Sequence, residues 1–212
     1  MIPKLHYISQ GNTPKEHLDN IQKACTSGIE LVQLSLDITS QKKLLNCAWQ
    51  ARDITAHFQT RLIITDHCKI AKAVKADGVH FSSLKCFPTN VKTDLYSWQL
   101  VAGSANTIQD CEKLLDKQVS YIYLGPFKIS AKDTTLPLLG LKGYSGITAL
   151  LKTGTPILGF GGINTQDVTA ILQTGLSGVA VSDAITGDFN AIKTFHELLK
   201  SSATAEQRYS MP

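Results

Sequence analysis

The sequence predicts an α/β fold, a single (β/α)8 barrel, and three observations carry that reading. Apolar, strand-like runs alternate with runs of helical period along the whole chain, which implies a parallel sheet covered by helices. Eight such units can be counted, the number that closes into a TIM barrel. Two small-residue exits fall late in the chain, Gly161-Gly162 after one apolar run and Val181-Ser182 after the next. That is where barrels of this type hold phosphate, after strands seven and eight. An open, doubly wound sheet is the alternative. The lack of an early G-x-G-x-x-G after strand one weakens it.

The elements follow in order. Strand one is Leu5–Ser9, and a helix runs from the cap-like Thr13-Pro14 to Cys25, with Gly28 near its end. Strand two is Leu31–Leu34, followed by a helix over Thr39–Phe58. Strand three, Leu62–Thr65, ends at Asp66; helix three, Lys69–Lys75, stops before Asp77-Gly78; strand four is Val79–Phe81. Strand five is Gln99–Ala102, ending at Gly103-Ser104, and Ile108, Cys111, Leu114 and Leu115 then recur at helical spacing. Strand six, Tyr121–Leu124, leads through Gly125-Pro126 into a long loop from Phe127 to Leu141. Pro156 introduces strand seven, Ile157–Phe160, and helix seven spans Thr165–Thr174. Strand eight is Val179–Val181, and a last helix, Asn190–Lys200, closes the fold. Residues 1–200 therefore read as the barrel and the small, polar residues 201–212 as a disordered tail.

A chain of 212 residues suits one barrel domain, and 43% hydrophobic residues suffice for a sizeable core. The net charge is a mild +4 with scattered Lys and Arg, so nothing points to nucleic acid, and a small anionic ligand fits the balance. Five cysteines lack metal or disulfide spacing and read as buried, reduced thiols. No signal-peptide pattern and no long apolar run occurs, so the expectation is a soluble cytoplasmic protein without a membrane partner. Homo-oligomerisation stays open.

Barrel chemistry sits at the carboxyl ends of the strands. The polar residues there are Ser9, Gln10, Gln33, Ser35, Thr65, Asp66, His80, Ser104, Asn106, Ser182 and Asp183, with the 128–137 loop and Gly161-Gly162. The glycines let a backbone approach a ligand closely, and the helical pattern from Asn164 offers unpaired N–H groups to an anion. Asp66 reads equally as a ligand for a hard cation such as Mg2+ and as a helix cap. His80 reads first as a core histidine. Lys128, Ser130, Lys132, Thr134 and Thr135 either close over phosphates or belong to a solvated loop.

Several segments taken together resemble the thiamine phosphate synthase family, the thiamine-phosphate pyrophosphorylases and their thiazole tautomerase relatives. They are Val32-Gln33-Leu34, Leu62–Asp66, Ala76–His80, Tyr121–Phe127, Leu139-Gly140, Gly161-Gly162-Ile163 and Gly178–Ser182. The resemblance runs from Lys4 to Leu199. It implies a transferase that joins an aminopyrimidine diphosphate to a thiazole phosphate and releases diphosphate, with Mg2+ as cofactor. It implies catalytic roles for Lys132 and Ser104. Substrate binding falls to Gln33, Ser35, Asp37, Thr65, Ser104, Ser130, Lys132, Gly161, Gly162, Val181 and Ser182. Asp66 is the implied metal ligand, and Lys85 stands where the family has a second acidic one.

The departures lie where the diphosphate should bind. Gln33-Leu34-Ser35-Leu36-Asp37 replaces the family's Gln-Leu-Arg-x-Lys. Charged contacts are worth roughly 1.5–3 kcal/mol each, so losing two slows the family reaction by several decades. The chain thus reads as a divergent synthase of weak or altered activity. A barrel that binds a phosphorylated ligand without catalysis is one alternative. The other is a thiazole tautomerase-like isomerase with a different base, since Ser104-Ala105-Asn106 holds no histidine.

Overall fold

A computed structural model describes residues 1–37, 40–129 and 136–209, the last nine of these as backbone only. Eight parallel strands close into a barrel in sequence order, with β8 returning to pair with β1. They are β1 (Leu5–Ile8), β2 (Leu31–Leu34), β3 (Arg61–Thr65), β4 (Gly78–Phe81), β5 (Leu100–Ala105), β6 (Tyr121–Leu124), β7 (Ile157–Phe160) and β8 (Gly178–Val181). The helices are α1 (Pro14–Thr26), α2 (Gln41–His57), α3 (Cys68–Ala73), α4 (Val91–Asp94), α5 (Ile108–Asp116), α6 (Gly140–Leu150), α7 (Val168–Gln173), α8 (Asp183–Gly187) and α9 (Ala191–Tyr209). The closed register rules out the open-sheet alternative.

Side chains alternate along each strand, and the two faces bury against different partners. Leu5, Tyr7, Val32, Leu34, Leu62, Ile64, Val79, Ile122, Leu124 and Val181 pack outward, in one core with helix residues such as Ile21, Leu44 and Phe195. Inside the barrel, Ala102, Tyr121, Tyr123, Leu158 and Ala180 pack together, with Ile8 and Phe160 against them. Small residues on β5 and β8 make room for two tyrosines on β6. His6, Gln33 and His80 are also fully buried. The luminal layer is therefore much more polar than the branched aliphatic filling usual in such barrels.

The helices start where the sequence supplies caps. Thr13 accepts from the Glu16 amide ahead of Pro14, and Thr107 with Asp110 forms a capping box on α5. Three helices, α4, α6 and α8, fall where the sequence reading assigns no element. α6 starts where the expected Phe127–Leu141 loop ends and covers a stretch to which no element was assigned; it holds three glycines and has no side-chain cap, features that oppose a helix in isolation. Tertiary contact overrides them: Tyr144 is fully buried and donates to the Leu124 carbonyl at 2.9 Å. The short α8 directly follows β8. β5 runs to Ala105, so Ser104 lies within the strand rather than beyond it, and α9 extends past Lys200. Four of the five free cysteines are buried as expected; Cys86 is exposed.

Candidate functional site

The polar residues inside the carboxyl half of the barrel form linked pairs. On β2, the Gln33 amide nitrogen donates to Thr65 Oγ1 at 2.9 Å. On β4, His80 Nε2 lies 2.9 Å from Ser104 Oγ on β5. The His80 ring packs on Tyr123, with centroids 4.2 Å apart. On β1, His6 Nδ1 meets the Tyr123 hydroxyl at 2.8 Å. Burial holds both histidines far below their ordinary value, each to about 3, so the two rings are neutral. Burial likewise raises Tyr121 and Tyr123, which stay protonated.

His80 Nδ1 is buried without a partner. A buried N–H without an acceptor is rarer than an unused lone pair, so the tautomer is assigned with its proton on Nε2. His80 then donates to Ser104. The half-buried Ser104 hydroxyl is left to donate its own proton, which suits a phosphate oxygen or a ring nitrogen. The expectation that His80 is a core histidine holds, with one addition: it orients a candidate site residue. Ser104 and His80 are distant in sequence and adjacent only because β4 and β5 pair.

The β7 exit is shaped by φ values of +92° at Gly161 and +64° at Gly162. A Cβ on Gly161 would stand 2.6 Å from Pro126 Cβ, and one on Gly162 2.7 Å from the Ile129 carbonyl oxygen. The close approach at these glycines is made, on this side, by the chain's own β6 exit. Lys128 N donates to the Gly161 carbonyl at 3.1 Å, and Phe127 N to that of Phe160 at 2.8 Å. Asn164 caps the following 3-10 turn, Thr165–Asp167, rather than a long helix. The half-buried Ser182 precedes α8, with its carbonyl taking the Thr186 amide. Val181 points into the helix-facing core, so what it can offer a ligand is backbone.

The early rim is built differently. Ser35 is half-buried, and its amide donates to Ser9 Oγ at 3.1 Å; Asp37 is exposed. Ser9 in turn meets His17 of α1 at 2.9 Å, tying the β1 and β2 exits to that helix. Asp66 has φ +58°, and its two oxygens take the Ser82 amide at 2.8 Å and the Ser82 hydroxyl at 2.6 Å. Asp66 therefore braces the β4 exit and makes no cap bond to α3, whose N-cap is His67. Lys85 is exposed in the Leu84–Cys86 turn. Among the described residues no group of three or more His, Cys, Asp or Glu could hold a metal. Asp66 is one carboxylate already holding two donors, and Lys85 stands where the resemblance implies a second ligand, so the described residues alone do not form a protein-held Mg2+ site.

Ser130 and Lys132 lie outside the described residues. The feet of their loop are described. Asn106 Nδ2 donates to the Gly125 carbonyl at 2.8 Å and to that of Pro137 at 2.9 Å, so Asn106 ties the loop's two ends together. Sequence reasoning passed over His6, Tyr123 and Asp167. The alternation of Tyr121 and Tyr123 in β6 was a readable signal that both share one face. Nothing local marked which face.

A sequence model described as thiamine monophosphate synthase matches residues 5–185. A thiamine-phosphate synthase of Flavobacterium psychrophilum is 34% identical over 204 residues, covering 94% of this chain and 99% of that protein. One of Flavobacterium johnsoniae is 33% identical over 190 residues, covering 88% and 90%. The thiamine phosphate pyrophosphorylase of Pyrococcus furiosus superposes with a TM-score of 0.80 at 21% identity, covering 93% of this chain and 96% of that one. At that identity the superposition speaks to the fold. No helix among the described residues is long and apolar enough to cross a membrane.

Proposed function

This chain belongs to the thiamine monophosphate synthase family, and we propose from that premise that it joins an aminopyrimidine diphosphate to a thiazole phosphate. The carbon–oxygen bond to the diphosphate breaks with its electron pair leaving on oxygen, and the thiazole nitrogen bonds to the freed methylene carbon. Such a substitution needs little acid–base work. It needs an oriented pair of substrates and stabilisation of the departing charge. The observation that carries the reading is membership over nearly the whole chain, with the relatives' names attached to that reaction.

The late rim suits the thiazole phosphate: the Gly161-Gly162 turn and the Val181-Ser182 exit stand side by side, because β7 pairs with β8. Ser104, oriented by His80, donates toward the reacting centre. Gln33 and Thr65 face the pyrimidine. Lys132 and Ser130 take the diphosphate in this reading. Mg2+ would shield the diphosphate charge, but the described residues alone do not form a site for it.

The test is an assay with both substrates followed by 31P NMR. The reading expects thiamine phosphate and inorganic diphosphate in equal amounts, at a rate below that of the 34%-identical relative. Tight binding of thiazole phosphate without any product would favour the non-catalytic binder. Exchange of thiazole ring protons without coupling would favour the isomerase.

A further inference from the structure

We infer that Lys128 and Asp167 are positioning residues of the phosphate seat, bracing both ends of the turn that follows β7. The inference rests on the reading of Gly161-Gly162 as that seat. One residue reaches both ends of the turn. The Lys128 amide donates to the Gly161 carbonyl at 3.1 Å, and the Lys128 ammonium is ion-paired with Asp167 Oδ1. The other oxygen of Asp167, Oδ2, accepts the Asn164 amide at 3.1 Å. Asp167 thus fixes the far end of the turn and receives the brace in the same carboxylate.

The geometry favours bracing over contact with the phosphate. The Asp167 side chain is only 11% exposed, against 50% for Lys128, so the carboxylate forms a fixed post and the lysine spans to it. The Lys128 ammonium also lies 5.1 Å from the centroid of its neighbour Phe127, which is buried. Both glycines have left-handed φ values and contact the Pro126–Ile129 strip. A shift of that strip would change where the turn's amides point. Misplacement of such amides by a fraction of an ångström weakens an oriented anion site.

Calorimetric titration with inorganic phosphate and with thiazole phosphate tests this on the wild-type chain, Lys128→Met, Lys128→Arg, Asp167→Asn and the swap Lys128→Asp/Asp167→Lys. Bracing predicts that Lys128→Met and Asp167→Asn each weaken thiazole phosphate binding by about fivefold, the scale of a part-exposed ion pair. KM for thiazole phosphate rises while kcat at saturation stays close to wild type. Lys128→Arg keeps the affinity, whereas the swap does not recover it, because the Asn164 amide then loses its carboxylate acceptor. Thermal melts check that each variant is folded. Tighter binding in Asp167→Asn would overturn the inference, because it would show the freed lysine meeting phosphate directly. So would wild-type affinity in both single variants. If the wild-type protein binds neither probe, the seat itself falls, and the inference with it.

Discussion

At the scale of single residues, the resemblance implies that the early rim is where this chain parts from its family. By that resemblance Ser35 and Asp37 stand where an Arg and a Lys are expected, and Asp37 adds an anion. Neither takes part in the core, so restoring the cations need not disturb the fold. The double variant Ser35→Arg/Asp37→Lys is expected to raise kcat/KM for the aminopyrimidine diphosphate by about tenfold or more, given about 1.5–3 kcal/mol for a charge-assisted contact. Steady-state kinetics with the thiazole phosphate held at saturation measures it. An unchanged value would show that the diphosphate already has its cations from elsewhere on the rim. Ser104, Gln33 and Thr65 were legible as strand-end polar residues. Their partners were not, because each bond joins neighbouring strands that are far apart in sequence. Asp66 illustrates the gap: a lone carboxylate at a strand end reads as a metal ligand or a cap, and only the register places Ser82 on both its oxygens.

At the scale of elements, the sequence reading reached every strand, since each is a short apolar run between turn residues. The bounds of β2, β6 and β7 match those expected from the sequence. It missed the four-residue α4 as well as α6 and α8, for different physical reasons. α6 is poor in helix formers and is held by the buried Tyr144, whose hydroxyl reaches the end of β6; that contact has no signature in local composition. α8 has only five residues, shorter than the helical period needs to declare itself. The β6–α6 connection is the element on which the site depends most. Asn106 on its β5 side and the Lys128–Asp167 pair on its β7 side hold its ends. Asn106 lies in the segment that holds no histidine, and its amide is spent on two carbonyls of this connection.

At the scale of the whole molecule, barrel closure forces His6, His80, Tyr121 and Tyr123 into one buried lumen, and this ties stability to pH. Both histidines have folded values of about 3 against 6.5 for the free side chain, so the unfolded chain binds protons that the folded chain excludes. Their contribution is fully present above pH 6.5 and is lost as pH falls toward 3. Urea melts are expected to show stability falling by several kcal/mol over that window, with a shallower fall in His6→Gln; equal slopes in the two proteins would remove the histidines from the cause. The same closure brings the β7 and β8 exits together on the face that carries Ser104, and the functional account depends on that juxtaposition. A crystal structure of the protein with thiazole phosphate tests it most directly. The account predicts the phosphate on the Gly161-Gly162 turn beside Ser182, with the ring toward Ser104. A phosphate held by Lys85 on the early rim, or bound away from the carboxyl ends of the strands, would contradict it.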